Sequence, residues 1–145
     1  MKDKKTFQQS CLQTGLLLGF LGWSISFIFT FSSWELSSKV LYGMGANPIE
    51  YQPLLDYWLK MASGAFGCIG LLFFVVYRNK KKFKNLIPLL GYGSIFIGVI
   101  LTISGINNTL QADKHPTHYV DLLFCFGVGA LIIYGNKKQL TNGST

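Results

Sequence analysis

The chain is poor in charge, in proline and in cysteine, and it holds a single arginine. Only 13% of its 145 residues are charged, about half the share usual in soluble domains, while 50% are hydrophobic. That balance excludes an ordinary water-soluble surface and suits a chain surrounded by lipid. The one arginine, Arg78, stands against twelve lysines, so a net charge of +7 carries no arginine-rich surface for reading nucleic acid. We therefore expect no nucleic-acid partner. The three cysteines, Cys11, Cys68 and Cys125, lie far apart with no CxxC, which excludes an exchangeable dithiol and leaves them as small apolar packing residues. No HExxH and no GxSxG motif occurs, and neither a repeat nor a low-complexity segment is present. No cofactor and no resident metal are expected.

What the chain does have is four long apolar runs, near 11–31, 54–77, 86–106 and 117–134. Each approaches the roughly 20 residues that a helix needs to cross about 30 Å of hydrocarbon. The fourth is the shortest, and Gly127, Gly129 and Gly135 weaken it as an isolated helix. The first run follows MKDKK, but it is longer than a signal core and no small-residue cleavage pattern follows it, so it reads as a retained helix. The fold class expected is all-α: one polytopic four-helix transmembrane bundle filling residues 1–145.

The basic residues set its orientation. RNKKKFK at 78–84, together with Lys2, Lys4, Lys5, Lys137 and Lys138, puts ten of thirteen cations on one side of the predicted bundle. Lysine and arginine mark the cytoplasmic side, so both termini are expected inside. The lysine run also suits anionic lipid, but the topology signal already accounts for it. Glu35, Glu50, Asp56, Asp113 and Asp121, with both histidines, then fall on the outer side. The Lys-rich, Arg-poor composition suggests a bacterial chain, which makes a bacterial cytoplasmic membrane the expected location, with the lipid bilayer as the first partner.

The long outer segment contains WELSSKVLYGMG. Glu35 and Lys39 stand four apart, as in a helical ion pair, and Trp34, Val40, Leu41 and Tyr42 offer apolar anchors. A short amphipathic helix in the interface, ended by Gly43, Gly45 and Pro48, is expected.

Turning about 100° per residue from Asp56 puts Lys60, Ser63, Gly67 and Gly70 on one stripe of the second crossing. Comparable stripes are Cys11, Gly15, Gly22 and Ser26 in the first; Gly91, Ser94, Gly98, Thr102 and Gly105 in the third; and His118, Asp121, Cys125 and Gly129 in the fourth. Lipid gives no reason to expose small residues, whereas close helix approach requires them. Gly15, Gly22, Gly67, Gly70, Gly98 and Gly129 are accordingly expected at helix contacts. Asp56 and Lys60 open the second helix, and His118 and Asp121 the fourth, all with an inward bearing. Both helices start on the outer side, so these four residues form a candidate outer-mouth pocket.

Structural explanations stand beside that reading. An aspartate in the first turn complements the helix dipole, and a lysine there snorkels or pairs without any substrate. HPTHYVD spaces His115, His118 and Asp121 by threes, which could serve zinc, but Pro116 interrupts the pattern and solvated histidines are preferred. His118 oriented by Asp121 could do acid–base work. No nucleophile accompanies them, so no catalytic residue is assigned.

The basic N-terminus, the first helix, the outer loop with a short amphipathic piece and the glycine-rich DYWLKMASGAFGCIG before two further helices resemble the small DoxX-like bacterial membrane proteins. The resemblance covers nearly the whole chain and implies a four-helix fold with redox or respiratory accessory roles. The sequence thus points to a non-enzymatic accessory or assembly protein, partnered by another membrane protein or by a second copy of itself. The alternative is a small-ligand or lipid pocket, or a membrane enzyme, at the outer mouth.

Overall fold

A computed structural model describes residues 2–110 and 115–141, with the side chains of 6–110 and 115–137. Asp113 and the side chains of Lys2, Lys4, Lys5 and Lys138 lie outside the described residues. Six helices follow in order: α1 (Lys2–Ser24), α2 (Phe27–Phe31), α3 (Trp34–Gly43), α4 (Pro53–Arg78), α5 (Leu86–Asn107) and α6 (Pro116–Thr141). No strand occurs among the described residues. Four spans are long and apolar enough to cross a membrane: Thr6–Phe31, which joins α1 to α2, then α4, α5 and Pro116–Lys137 of α6. The chain is built as a multi-pass membrane protein.

Local chemistry explains the ends. Pro53 and Pro116 occupy first helical positions, where a missing N–H costs nothing. Asp56 in the first turn of α4 and Arg78 in its last both complement the helix dipole. The Ser33 side chain accepts the Leu36 N–H at the start of α3. Gly45, at φ 100°, supplies the left-handed turn that follows α3.

The first span is not one helix. It breaks between Ser24 and Phe27, where the Ser26 hydroxyl donates to the Trp23 carbonyl at 2.7 Å and to the Ser63 carbonyl of α4 at 3.1 Å. With no proline in the span, the break is one made by serine back-bonding and held by the neighbouring helix. Deeper hydroxyls instead satisfy themselves within their helix. Ser94 donates to the Leu90 carbonyl at 2.9 Å and Thr102 to that of Gly98 at 2.8 Å. The fourth helix runs on past the expected end at residue 134, because its glycines are seats for neighbours. A Cβ on Gly135 would meet the Leu12 amide nitrogen at 2.6 Å and the Gln8 carbonyl oxygen at 2.8 Å.

Packing order departs from chain order. α6 packs along α5 and along α1, and α1 packs in turn along α4, with α2 continuing that contact. Although α4 and α5 are joined by the short segment 79–85, they barely touch. The sequence of neighbours is therefore α4–α1–α6–α5, with an open side between the outer parts of α4 and α5. The helices meet at the end near the 79–85 turn. There Leu12, Leu16, Phe73, Val76, Ile87 and Ile132 form the centre of the buried core.

Candidate functional site

Asp56 and Lys60 lie on the side of α4 that carries Ser63, Gly67 and Gly70, the side that meets α1 and α2. They close an ion pair of 2.8 Å, with Asp56 14% exposed and Lys60 38%. One oxygen of Asp56, Oδ1, is buried without a hydrogen-bond partner among the described residues. The spacing that suggested an ion pair on α3 produces none there: Glu35 and Lys39 stay apart.

His118 belongs to a different contact. Its ring lies over Gly105 of α5, so closely that a methyl group at that glycine could not fit, and it stands edge-on to Tyr119 at 5.2 Å. Asp121 is exposed, although it shares a helix face with Cys125, Val128 and Ile132, all buried.

The antiparallel register fixes the relative heights. Gly22 lies against the Phe124 ring and Gly15 against Ile132, so Asp121, three residues before Phe124, is level with Ile25 in the break of the first span. On α4, Gly70 lies against Ser24, Gly67 against Phe27 and Gly64 against Thr30. Carried along α4 at 1.5 Å per residue, this register leaves Asp56 roughly 20 Å along the helix axis from the height of Asp121. The structure thus brings Asp56 to Lys60 and brings neither to His118 or Asp121. No hydrogen bond or ion pair joins the two helices' charged groups among the described residues.

The small residues sit at close crossings. A Cβ on Gly15 would meet Ile132 at 2.8 Å, and one on Gly129 would meet the Gly91 carbonyl oxygen at 2.8 Å. Gly98 packs on Phe126 and Cys125, while Gly22, Gly67 and Gly19 each lie under a phenylalanine ring. Cys125 is buried, Cys11 half-buried and Cys68 exposed. Among the described residues no three of His, Cys, Asp and Glu come together as a metal would require.

Two features escape sequence reasoning. One is the helix break, whose signal is the pair of serines in WSISF. The other is an aromatic group at the same height. Trp23 of α1 meets Phe66 of α4 at 5.5 Å and Phe124 of α6 at 6.0 Å between ring centres. No hydropathy pattern distinguishes these rings from the chain's other aromatics.

In comparisons with known proteins, no family model, no curated protein and no solved structure matches the chain. The likeness to DoxX-like proteins rests on the four-helix architecture alone.

Proposed function

We propose that the chain is a non-enzymatic accessory or assembly protein of a bacterial cytoplasmic membrane, with both termini on the cytoplasmic side. The supporting charge pattern is simple: the 78–84 turn carries five cations, the described acidic side chains Glu35, Glu50 and Asp56 belong to the other end of the bundle, and Asp121 stands in the first turns of α6. In this reading α3 lies along the outer interface and its segment receives the partner.

The observation that carries the reading is the free-standing character of the outer segment. α3 makes no extensive contact with any spanning helix. It folds instead against its own return strand of chain: Trp34 meets Tyr51 edge-on at 5.8 Å, and a hollow of about 310 Å³ is lined by Ser38, Lys39, Tyr42, Pro48 and Ile49. Around it Leu36, Tyr42, Met44 and Tyr51 are exposed, Tyr42 at 63%. Contiguous apolar surface at the edge of the spans, with one lysine in it, is the chemistry of a protein contact.

A photo-crosslinking residue placed at Tyr42 tests this in native membranes. A discrete protein adduct, absent when the same residue replaces Phe96, an exposed side chain in the middle of α5, is the expected result. A self-adduct would identify the partner as a second copy. No adduct from Tyr42, or the same smear from both positions, refutes the reading.

A further inference from the structure

The turn that joins α4 to α5 gathers charge and holds it in place. Arg78, Lys80, Lys81, Lys82 and Lys84 fall within the run 78–84. The backbone of the turn is ordered: the Phe83 N–H donates to the Asn79 carbonyl at 3.1 Å, and the Leu86 N–H to the Phe83 carbonyl at 2.9 Å. Phe83 packs against the buried core, which ties the turn to the end of the bundle. Lys80 Nζ donates to the Tyr77 carbonyl at 2.9 Å and lies 4.6 Å from the centre of the Tyr77 ring, while Lys82 Nζ lies 5.6 Å from that of Phe83. A loop that only marked one side of the membrane would need the number of its cations and not their placement.

No described carboxylate neutralises this group. None of its cations makes an ion pair among the described residues, and the described acidic side chains stand on α3, on the segment after it and in the first turns of α4 and α6. Lys80 is committed to Tyr77, and Arg78 answers the negative end of the α4 dipole; Lys81, Lys82 and Lys84 are exposed. Next to the cations the surface turns apolar. Phe74 and Val75, in the last turns of α4, and Leu89, in the first turn of α5, are all exposed.

Fixed cations at the end of a span, adjoining exposed apolar side chains, have a specific complement. A soluble anion would meet the charges and leave the apolar surface unmatched, and a zwitterionic lipid would cover that surface with no net charge to offer. A lipid with a net negative headgroup meets both. We propose that the 78–84 turn is a binding site for an anionic phospholipid, with its headgroup on Lys81, Lys82 and Lys84 and its acyl chains along Phe74, Val75 and Leu89. The site stands apart from the outer segment and does not depend on the partner there.

The test uses the full chain in detergent micelles, titrated with dioleoyl phosphatidylglycerol or dioleoyl phosphatidylcholine and read by native mass spectrometry. A lysine near an anionic lipid surface contributes about fivefold to affinity, so phosphatidylglycerol is expected to bind at least about tenfold more tightly than phosphatidylcholine. For the same reason, Lys81→Gln, Lys82→Gln and Lys84→Gln together weaken its binding at least about tenfold. Lys2→Gln, Lys4→Gln and Lys5→Gln together remove as much charge from the start of α1 and leave the binding within about threefold, because those lysines are outside the site. Equal binding of the two lipids by the native chain overturns the proposal. So does an equal loss in the two triple variants, the result that a diffuse field of charge would give. If the turn variant fails to fold, phosphatidylglycerol with a photoreactive headgroup decides on the native chain: an adduct within 78–84 is expected, and an adduct only elsewhere, or none, overturns the site.

Discussion

Replacing Gly135 with alanine tests the packing order through one methyl group. The added Cβ would lie 2.6 Å from the Leu12 amide nitrogen and 2.8 Å from the Gln8 carbonyl oxygen. Both are backbone atoms of α1, so no side-chain rotation relieves the clash, and α6 must move away by about 1 Å to restore ordinary contact. Inserting a methylene into close packing costs about 1–3 kcal/mol, and a displacement on this scale forfeits a quarter to a half of each affected van der Waals contact. Alanine's better helix propensity returns about 1 kcal/mol. The net expectation is a loss of roughly 0–2 kcal/mol. Gly127 is the internal control, since nothing lies within 4 Å of a Cβ built there on the same helix. Gly127→Ala keeps the propensity gain and pays no clash, so it should be neutral or slightly stabilising. Equilibrium unfolding in mixed micelles, followed by helical circular dichroism, compares the two. Equal stability of the two variants would refute the α1–α6 register and with it the heights assigned to Asp121 and Phe124.

Three further outcomes follow from other contacts. Ser26→Ala removes the hydroxyl that bridges Trp23 and Ser63, and it should cost about 1 kcal/mol in unfolding free energy while hastening amide exchange at Ile28 and Phe29; unchanged exchange would contradict the bridge. Lys60→Met leaves a largely buried carboxylate unpaired, so it should destabilise more than the double variant Asp56→Asn with Lys60→Met, as a double-mutant cycle on unfolding would read; an intact pair this exposed is worth only about 0–1 kcal/mol. Gly105→Ala drives a methyl group into the His118 ring and should loosen α5 from α6, whereas Gly93→Ala on the same helix meets open space and should not; equal proteolysis of the two would argue against that contact.

The existence of four spans is legible in the sequence because it depends on length and hydropathy alone, and those survive without any knowledge of partners. The proline starts of α4 and α6 are legible for a similarly local reason: a residue without an N–H belongs in the first turn. The Asp56–Lys60 pair is written in its spacing of four, though the same spacing at Glu35 and Lys39 closes nothing. Heights are another matter. Asp121 stands five residues into its helix, which in sequence reads as a position near the surface. It becomes level with the Ser24–Ser26 break only because α6 packs along α1, and that neighbour choice follows from how glycine seats and rings interlock. Hydropathy is blind to it, since every span looks alike to that measure. The Trp23, Phe66 and Phe124 group is hidden for the same reason, coming from three helices that chain order does not place side by side.

The account rests first on four crossings with the 79–85 turn and the outer segment on opposite sides of one membrane. Single cysteines at Lys81 and Glu50, placed in a chain whose Cys11, Cys68 and Cys125 are replaced by alanine, test this with a membrane-impermeant thiol reagent on intact cells. Labelling of the cysteine at position 50 from outside, with that at position 81 labelled only after the membrane is opened, is the predicted result. Labelling of both from the same side would contradict the four-span architecture and every placement built on it.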